Sequence, residues 1–130
     1  MYDTGDVLLR KAAGDLKAIA HMQDTFDFDE AIFGFHAQLV CEKTLKAWLL
    51  HLGVEPPFIH DLNKLIGLLR AAGQVVAEHA QIDTLTKYAV GLRYDEDPPA
   101  ELLDRPATIA LCERLFGHVT QVRSLPPVVR

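Results

Sequence analysis

Apolar residues recur along this chain at three- and four-residue intervals in five separate stretches, the period of helices with a buried face. From about Asp6 to Met22 the stripe is Val7, Leu8, Ala12, Leu16, Ile19 and Ala20. A polar turn over 23–29 follows, where Asp27 with Glu30 three positions on matches a capping box with Asp in place of Ser or Thr. The second stretch, about Phe28 to Leu52, differs in kind. At about 100° per residue its widest apolar arc gathers Phe33, Ala37, Val40, Cys41, Leu45, Ala47 and Trp48, yet Phe35, Leu39, Leu49 and Leu50 lie on the other side. A helix apolar on nearly every side belongs at the centre of its bundle.

Gly53 marks the end of that helix, and Pro56-Pro57 cannot continue it. Asp61 is a good N-cap for a third helix carrying Leu62, Leu65, Ile66, Leu68 and Leu69 and ending near Gly73. A fourth, about Val76 to Gly91, has Ile82, Leu85, Ala89 and Val90 on its apolar side, and an acidic, proline-containing loop follows Arg93-Tyr94. Asp104 caps a fifth helix that tolerates Pro106 in its first turn, uses Ile109, Ala110, Leu111, Leu115, Phe116 and Val119, and stops before Pro126-Pro127. Alternating, period-two runs are missing. The pattern predicts an all-α, antiparallel up-and-down bundle of four to five helices. It forms one domain over 1–130, with its core at about 6–122 and a proline-containing tail over 123–130.

Composition narrows the class. A net charge of −5 argues against a diffuse electrostatic grip on DNA or RNA, though a local basic pocket stays open. No apolar run approaches the roughly 18–20 residues of a membrane span. Met1 is followed by Tyr-Asp-Thr-Gly-Asp rather than a basic and then apolar leader, so a cytoplasmic location is expected, with no membrane partner. Cys41 and Cys112 belong to no Cys-x-x-Cys pair and are read as buried free thiols.

Chemistry is concentrated on the second helix, where His36, Gln38, Glu42, Lys43 and Lys46 interrupt the apolar surface. A buried polar group without a partner costs roughly 1–3 kcal/mol, so internal pairing, a second subunit or a ligand must satisfy them. His36, Lys43 and Lys46 fall within about 80° and suit a phosphate. Alternatively, Glu42 pairs with Lys46 at i,i+4, Lys43 reaches solvent and His36 bonds a backbone carbonyl. Gln38 serves a neighbouring helix or a dimer interface. His60, just outside the Asp61 cap, calls for a carboxylate on another segment or a phosphate at the start of the third helix. Arg93 pairs with Asp95, Glu96 or Asp97, or reaches a phosphate. His21, His51, His79 and His118 show no metal-ligand spacing, and Glu78 and His79 point about 100° apart, so neither metal nor cofactor is expected. Nucleophile elbows and glycine-rich phosphate loops are absent from the sequence.

Several of these pieces together carry a resemblance. They are Phe35-His36-Ala37-Gln38, then Glu42-Lys43-x-x-Lys46-Ala47, the exit Gly53-Val54-x-Pro56-Pro57, the restart His60-Asp61-Leu62, and Arg93-Tyr94. In order and spacing they resemble the HEPN domains, over about Leu8 to Val122. The resemblance implies an antiparallel helical bundle that commonly dimerises and that occurs beside or fused to minimal nucleotidyltransferases, sometimes in toxin–antitoxin pairs. Some members are metal-independent ribonucleases with an Arg, four to six residues, then a His, paired across a dimer. This chain departs from that pattern. The next His after Arg93 is His118, and Arg114 and His118 are separated by three residues. Tyr94 lacks the preceding Arg–His motif that normally accompanies a modified Tyr in the family.

The expectation is therefore a homodimeric HEPN-type module that is not an enzyme on its own. It binds nucleotide or RNA phosphate through His36, Lys43, Lys46, His60 and Arg93 and works with a minimal nucleotidyltransferase. Gln38, Glu42, Asp61 and Tyr94 take structural or interface roles. The alternatives are a ribonuclease toxin using Arg114 and His118, and a ligand-free dimerisation module.

Overall fold

In the computed structural model of the protein, residues 4–89 and 102–125 are described. They form helices α1 (Thr4–Ala20), α2 (Glu30–His51), α3 (Leu62–Ala71), a 3-10 helix (Ala77–Tyr88) and α4 (Arg105–Ser124), with no strand among them. The chain folds as an all-α helical bundle, as its periodicity predicts. Arg93 and Tyr94 lie outside the described residues.

Helix α2 is the spine. It packs against α1, α3, α4 and the 3-10 helix, and twelve of its 22 residues are buried. All seven residues of its predicted apolar arc are in the core, where Phe33 and Trp48 are among the largest fully buried side chains. Ile19 of α1, Leu65, Ile66 and Leu69 of α3, and Cys112, Leu115 and Val119 of α4 close around it. Each fully buried large aliphatic or aromatic side chain contributes about 1.5–3 kcal/mol relative to exposure. Cys41 and Cys112 meet in this core with their sulfurs 3.8 Å apart. The contact with Cys112, together with burial, holds the Cys41 thiol well above its ordinary pKa and so inert.

The helix ends follow local chemistry. Gly53 and Gly73 adopt φ of 77° and 84°, which a side chain resists, and these left-handed turns end α2 and α3. In each case the next amide closes onto the helix: Val54 N donates to Leu49 O at 2.9 Å and Gln74 N to Leu69 O at 3.0 Å. Asp61 accepts from Asn63 N and Lys64 N at 3.0 and 3.3 Å, and Asp104 accepts from Ala107 N at 3.0 Å, as predicted for both caps.

Two local expectations are corrected. The Asp27/Glu30 capping box does not form. Asp29 is the N-cap residue of α2 without a side-chain cap bond, and Glu30 accepts instead from Tyr88 Oη at 3.1 Å and Leu103 N at 2.6 Å. The long-range bonds win because they tie three segments together at one carboxylate. The segment expected as an α-helix over 76–91 is a 3-10 helix over Ala77–Tyr88. Its buried residues, His79, Ile82, Leu85 and Tyr88, recur at every third position, which keeps one face inward only in a helix of three residues per turn.

Arg105, at the start of α4, pins the connection between α1 and α2. Its guanidinium donates to Met22 O (2.8 Å), Asp24 O (3.2 Å) and Phe28 O (2.7 Å), and it lies over the Phe33 ring at 4.9 Å from the centroid. At the other end of α4, Arg123 donates to Ala47 O at 3.1 Å and to Asp6 at 3.0 Å. One helix is thereby fastened to α2 near both of its own termini.

Candidate functional site

The charged and imidazole side chains on the polar side of α2 pair internally through two carboxylates, while Gln38 Oε1 and Thr44 Oγ1 are buried without a hydrogen-bond partner. Asp15 on α1 takes His36 Nδ1 at 3.3 Å on one oxygen and Lys43 Nζ at 2.6 Å on the other. Glu42 takes His60 Nδ1 at 2.8 Å and Gln38 Nε2 at 2.9 Å on Oε1, and Lys46 Nζ at 3.2 Å on Oε2. Each carboxylate thus holds one imidazole and one ammonium. Gln38 also donates to the His60 carbonyl at 3.2 Å, which fixes the backbone just before α3.

Several alternatives left open by the sequence are now decided. Glu42 and Lys46 do pair at i,i+4. Lys43 does not run free to solvent and His36 does not bond a carbonyl; both meet Asp15. His60 finds a carboxylate on another segment, Glu42. The Gln38 amide nitrogen is used within the fold, on Glu42 and the His60 carbonyl, whereas its Oε1 is buried without a partner. Asp15 escaped the sequence reading, although there was a signal for it: it stands between Ala12 and Ile19 at helical spacing, an acid at the edge of a core stripe.

Electrostatics favour the charged form of Glu42. Burial pushes its carboxyl pKa up, but the hydrogen bonds from Gln38 and His60 and the charge of Lys46 outweigh it, leaving the pKa below 4.5. Using Nδ1 on a carboxylate leaves Nε2 of both His36 and His60 without a partner among the described residues. A carboxylate behind one ring nitrogen orients the imidazole and strengthens the other nitrogen as donor or acceptor. His60 stands largely in the open, its side chain 65% exposed, while Glu42 behind it is 10% exposed. Phe58, two residues before His60, is fully exposed.

Arg114 and His118, the non-standard pair, sit elsewhere. His118 packs edge-on against Trp48 with ring centroids 5.0 Å apart and lies 5.3 Å from the His79 ring, whereas Arg114 is exposed. Against the expected divergence of Glu78 and His79, their side chains fold back to a 3.4 Å contact, Glu78 Oε1 to His79 Nε2. Burial lowers the His79 pKa, opposed by the Glu78 charge and aided by His118 and Arg114.

No helix among the described residues is long and apolar enough to cross a membrane. A family model described as HEPN domain matches residues 6–125, nearly the whole chain. No curated protein and no solved structure matches it.

Proposed function

We propose, from the premise that this chain belongs to the HEPN domain family, that it binds the phosphate of a nucleotide or nucleic-acid end and works with a minimal nucleotidyltransferase. The two would form a toxin–antitoxin-like pair, with the module as a cytoplasmic homodimer. HEPN domains are in general nucleotide- or RNA-associated helical modules. The observation that carries the reading is the double carboxylate–imidazole–ammonium arrangement along α2, in which Asp15 and Glu42 hold His36, His60, Lys43 and Lys46 in place.

The chemistry follows from that order. Lys43 and Lys46, one turn apart, carry mobile N–H donors that can turn from carboxylate to phosphate. His60 offers Nε2 from a ring already oriented by Glu42. The two acids offset the two ammonium groups, so the edge attracts an anion by aimed donors rather than by a strong net field. Exposed Phe58 supplies a face on which a base can stack, an interaction worth about 1–3 kcal/mol. Arg93 stays part of the proposal as a further phosphate donor.

The test is a thermal-shift panel of nucleoside mono-, di- and triphosphates and short RNAs on the purified chain, joined to a pull-down from host lysate. Stabilisation of the wild type by one class, lost in Lys43→Ala and reduced in Phe58→Ala, is the expected result. Phe58→Ala should leave the ligand-free melting temperature unchanged, because that ring is fully exposed. A wild type that no nucleotide or RNA stabilises, and that brings down no nucleotidyltransferase, overturns the reading in favour of a ligand-free dimerisation module. RNA cleavage lost in His118→Ala would instead restore the ribonuclease alternative, against the packing role His118 has beside Trp48.

A further inference from the structure

Where the 3-10 helix meets α4, three side chains with metal-ligating atoms come together on the Trp48 side of α2. His79 is 1% exposed, and its Nε2 has no hydrogen-bond partner. Leaving a buried nitrogen unbonded costs roughly 1–3 kcal/mol, so its retention in the core calls for a reason. Glu78 Oε1 lies 3.4 Å from that nitrogen, and the ligating atoms of Glu78, His79 and His118 all lie within 4.8 Å of one another.

We propose that Glu78, His79 and His118 form a binding site for one divalent transition-metal ion of the zinc type, held by a carboxylate oxygen and two imidazole nitrogens. Zinc bonds of about 2.0–2.1 Å in a tetrahedron place neighbouring ligand atoms about 3.3–3.4 Å apart. The Glu78–His79 separation of 3.4 Å already has that edge length. Small rotations of Glu78, which is 53% exposed, and of half-buried His118 close the remaining edges. His79 is held more firmly, with its ring edge-on to Trp48 at 6.0 Å between centroids. Two imidazoles and one carboxylate favour zinc, cobalt or copper over magnesium or calcium, which prefer all-oxygen shells.

The local charge is close to balanced. Glu78 supplies one negative charge, and the Arg114 guanidinium, close enough to affect His79, opposes a dication. An ion here would clamp the 3-10 helix to α4, across which the His79 and His118 rings already stand 5.3 Å apart between centroids. This inference is independent of the phosphate reading, because it uses none of the same residues.

The experiment uses the full chain without a polyhistidine tag, stripped with a chelator and titrated with Co(II), followed by Zn(II) in competition. Visible cobalt absorption reports the ligand geometry, and the emission of Trp48, the one tryptophan, reports proximity. The expected result is saturable binding of one ion per chain, with Trp48 quenching by Co(II), displacement by Zn(II) and a raised melting temperature. Glu78→Gln and His118→Gln should each weaken binding by about tenfold or more. Circular dichroism would establish that both variants fold. Glu78→Gln is the safer of the two, being on the surface. Absence of saturable binding, or binding unchanged in a folded Glu78→Gln or His118→Gln variant, overturns the proposal.

Discussion

Nδ1 of His60 stands 2.8 Å from Oε1 of Glu42, joining the residue before the α3 cap to the buried flank of α2. Glu42 is thereby a node: Gln38, Lys46 and His60 reach it from one helix and from the turn that follows. Burial alone would raise its pKa, and these three partners more than offset that and favour the charged form.

The node gives stability a defined pH dependence. The folded-state pKa of Glu42 lies below its ordinary 4.5, so its contribution is fully present above that value and is lost as pH falls through the folded pKa. Glu42→Gln should cost roughly 1–3 kcal/mol at neutral pH, by leaving Lys46 and His60 without their charge partner, and should flatten the acid limb. Urea midpoints measured from neutral pH downwards check this. Parallel acid limbs in wild type and variant would place the acid sensitivity elsewhere.

Two glycines in helices should respond in opposite directions. A Cβ at Gly34 would overlap the Tyr88 ring, whereas a Cβ at Gly14 meets nothing within 4 Å. Gly34→Ala gains about 1 kcal/mol of helix propensity but must displace a ring bonded to Glu30, for a net loss of about 1–3 kcal/mol. Gly14→Ala should add about 0.5–1 kcal/mol. Chemical denaturation of the two variants side by side gives the signs.

Arg105 makes three backbone hydrogen bonds from a single buried guanidinium. Arg105→Met would remove the guanidinium donors from the carbonyls of Met22, Asp24 and Phe28, of which Asp24 keeps the Phe28 amide, and leave Glu30 without a cation 3.7 Å away. The expected cost is about 3–5 kcal/mol, and Arg105→Lys should recover little of it, because a single ammonium cannot reproduce the planar fork. A comparison of melting temperatures decides it: near-complete rescue by Lys would mean that charge, not geometry, is what matters there.

Tyr88 should resist ionisation. Burial and the neighbouring Glu30 carboxylate raise its pKa from 10.0 to about 12. Its stabilising effect is therefore intact below pH 10 and disappears as pH rises towards the folded value. Ultraviolet titration of the phenolate signal should show a late step that Tyr88→Phe removes. Persistence of that step in the variant would assign it to another of the three tyrosines.

What could be read beforehand was whatever repeats along a single helix. The apolar arc from Phe33 to Trp48, the central place of α2 and the caps at Asp61 and Asp104 all follow from spacing within one element. Partners between elements did not. Asp15 meets Lys43 across 28 positions, Arg105 meets Met22 across 83, and His118 reaches His79 only after α4 has folded back on the 3-10 helix. Periodicity holds no information about such encounters, although an acid on the α1 core stripe and a lone Arg at a helix start were hints. The 3-10 helix was misread because Ala89 and Val90 suggested an α-helical face, while Val76, His79, Ile82, Leu85 and Tyr88 were already repeating every third residue.

That threefold winding also works as a torsional lock. His79 and Tyr88 are nine residues apart and both buried, which is three full turns at three residues per turn. Rewound as an α-helix, the same nine residues would make about two and a half turns, so one of the two would be carried to the outside. The twelve-residue segment would also shorten by roughly 6 Å, since the rise per residue falls from about 2.0 to 1.5 Å. As long as Glu30 holds Tyr88 at one end and Trp48 holds His79 at the other, twist and length are set together, and neither can change until an end lets go.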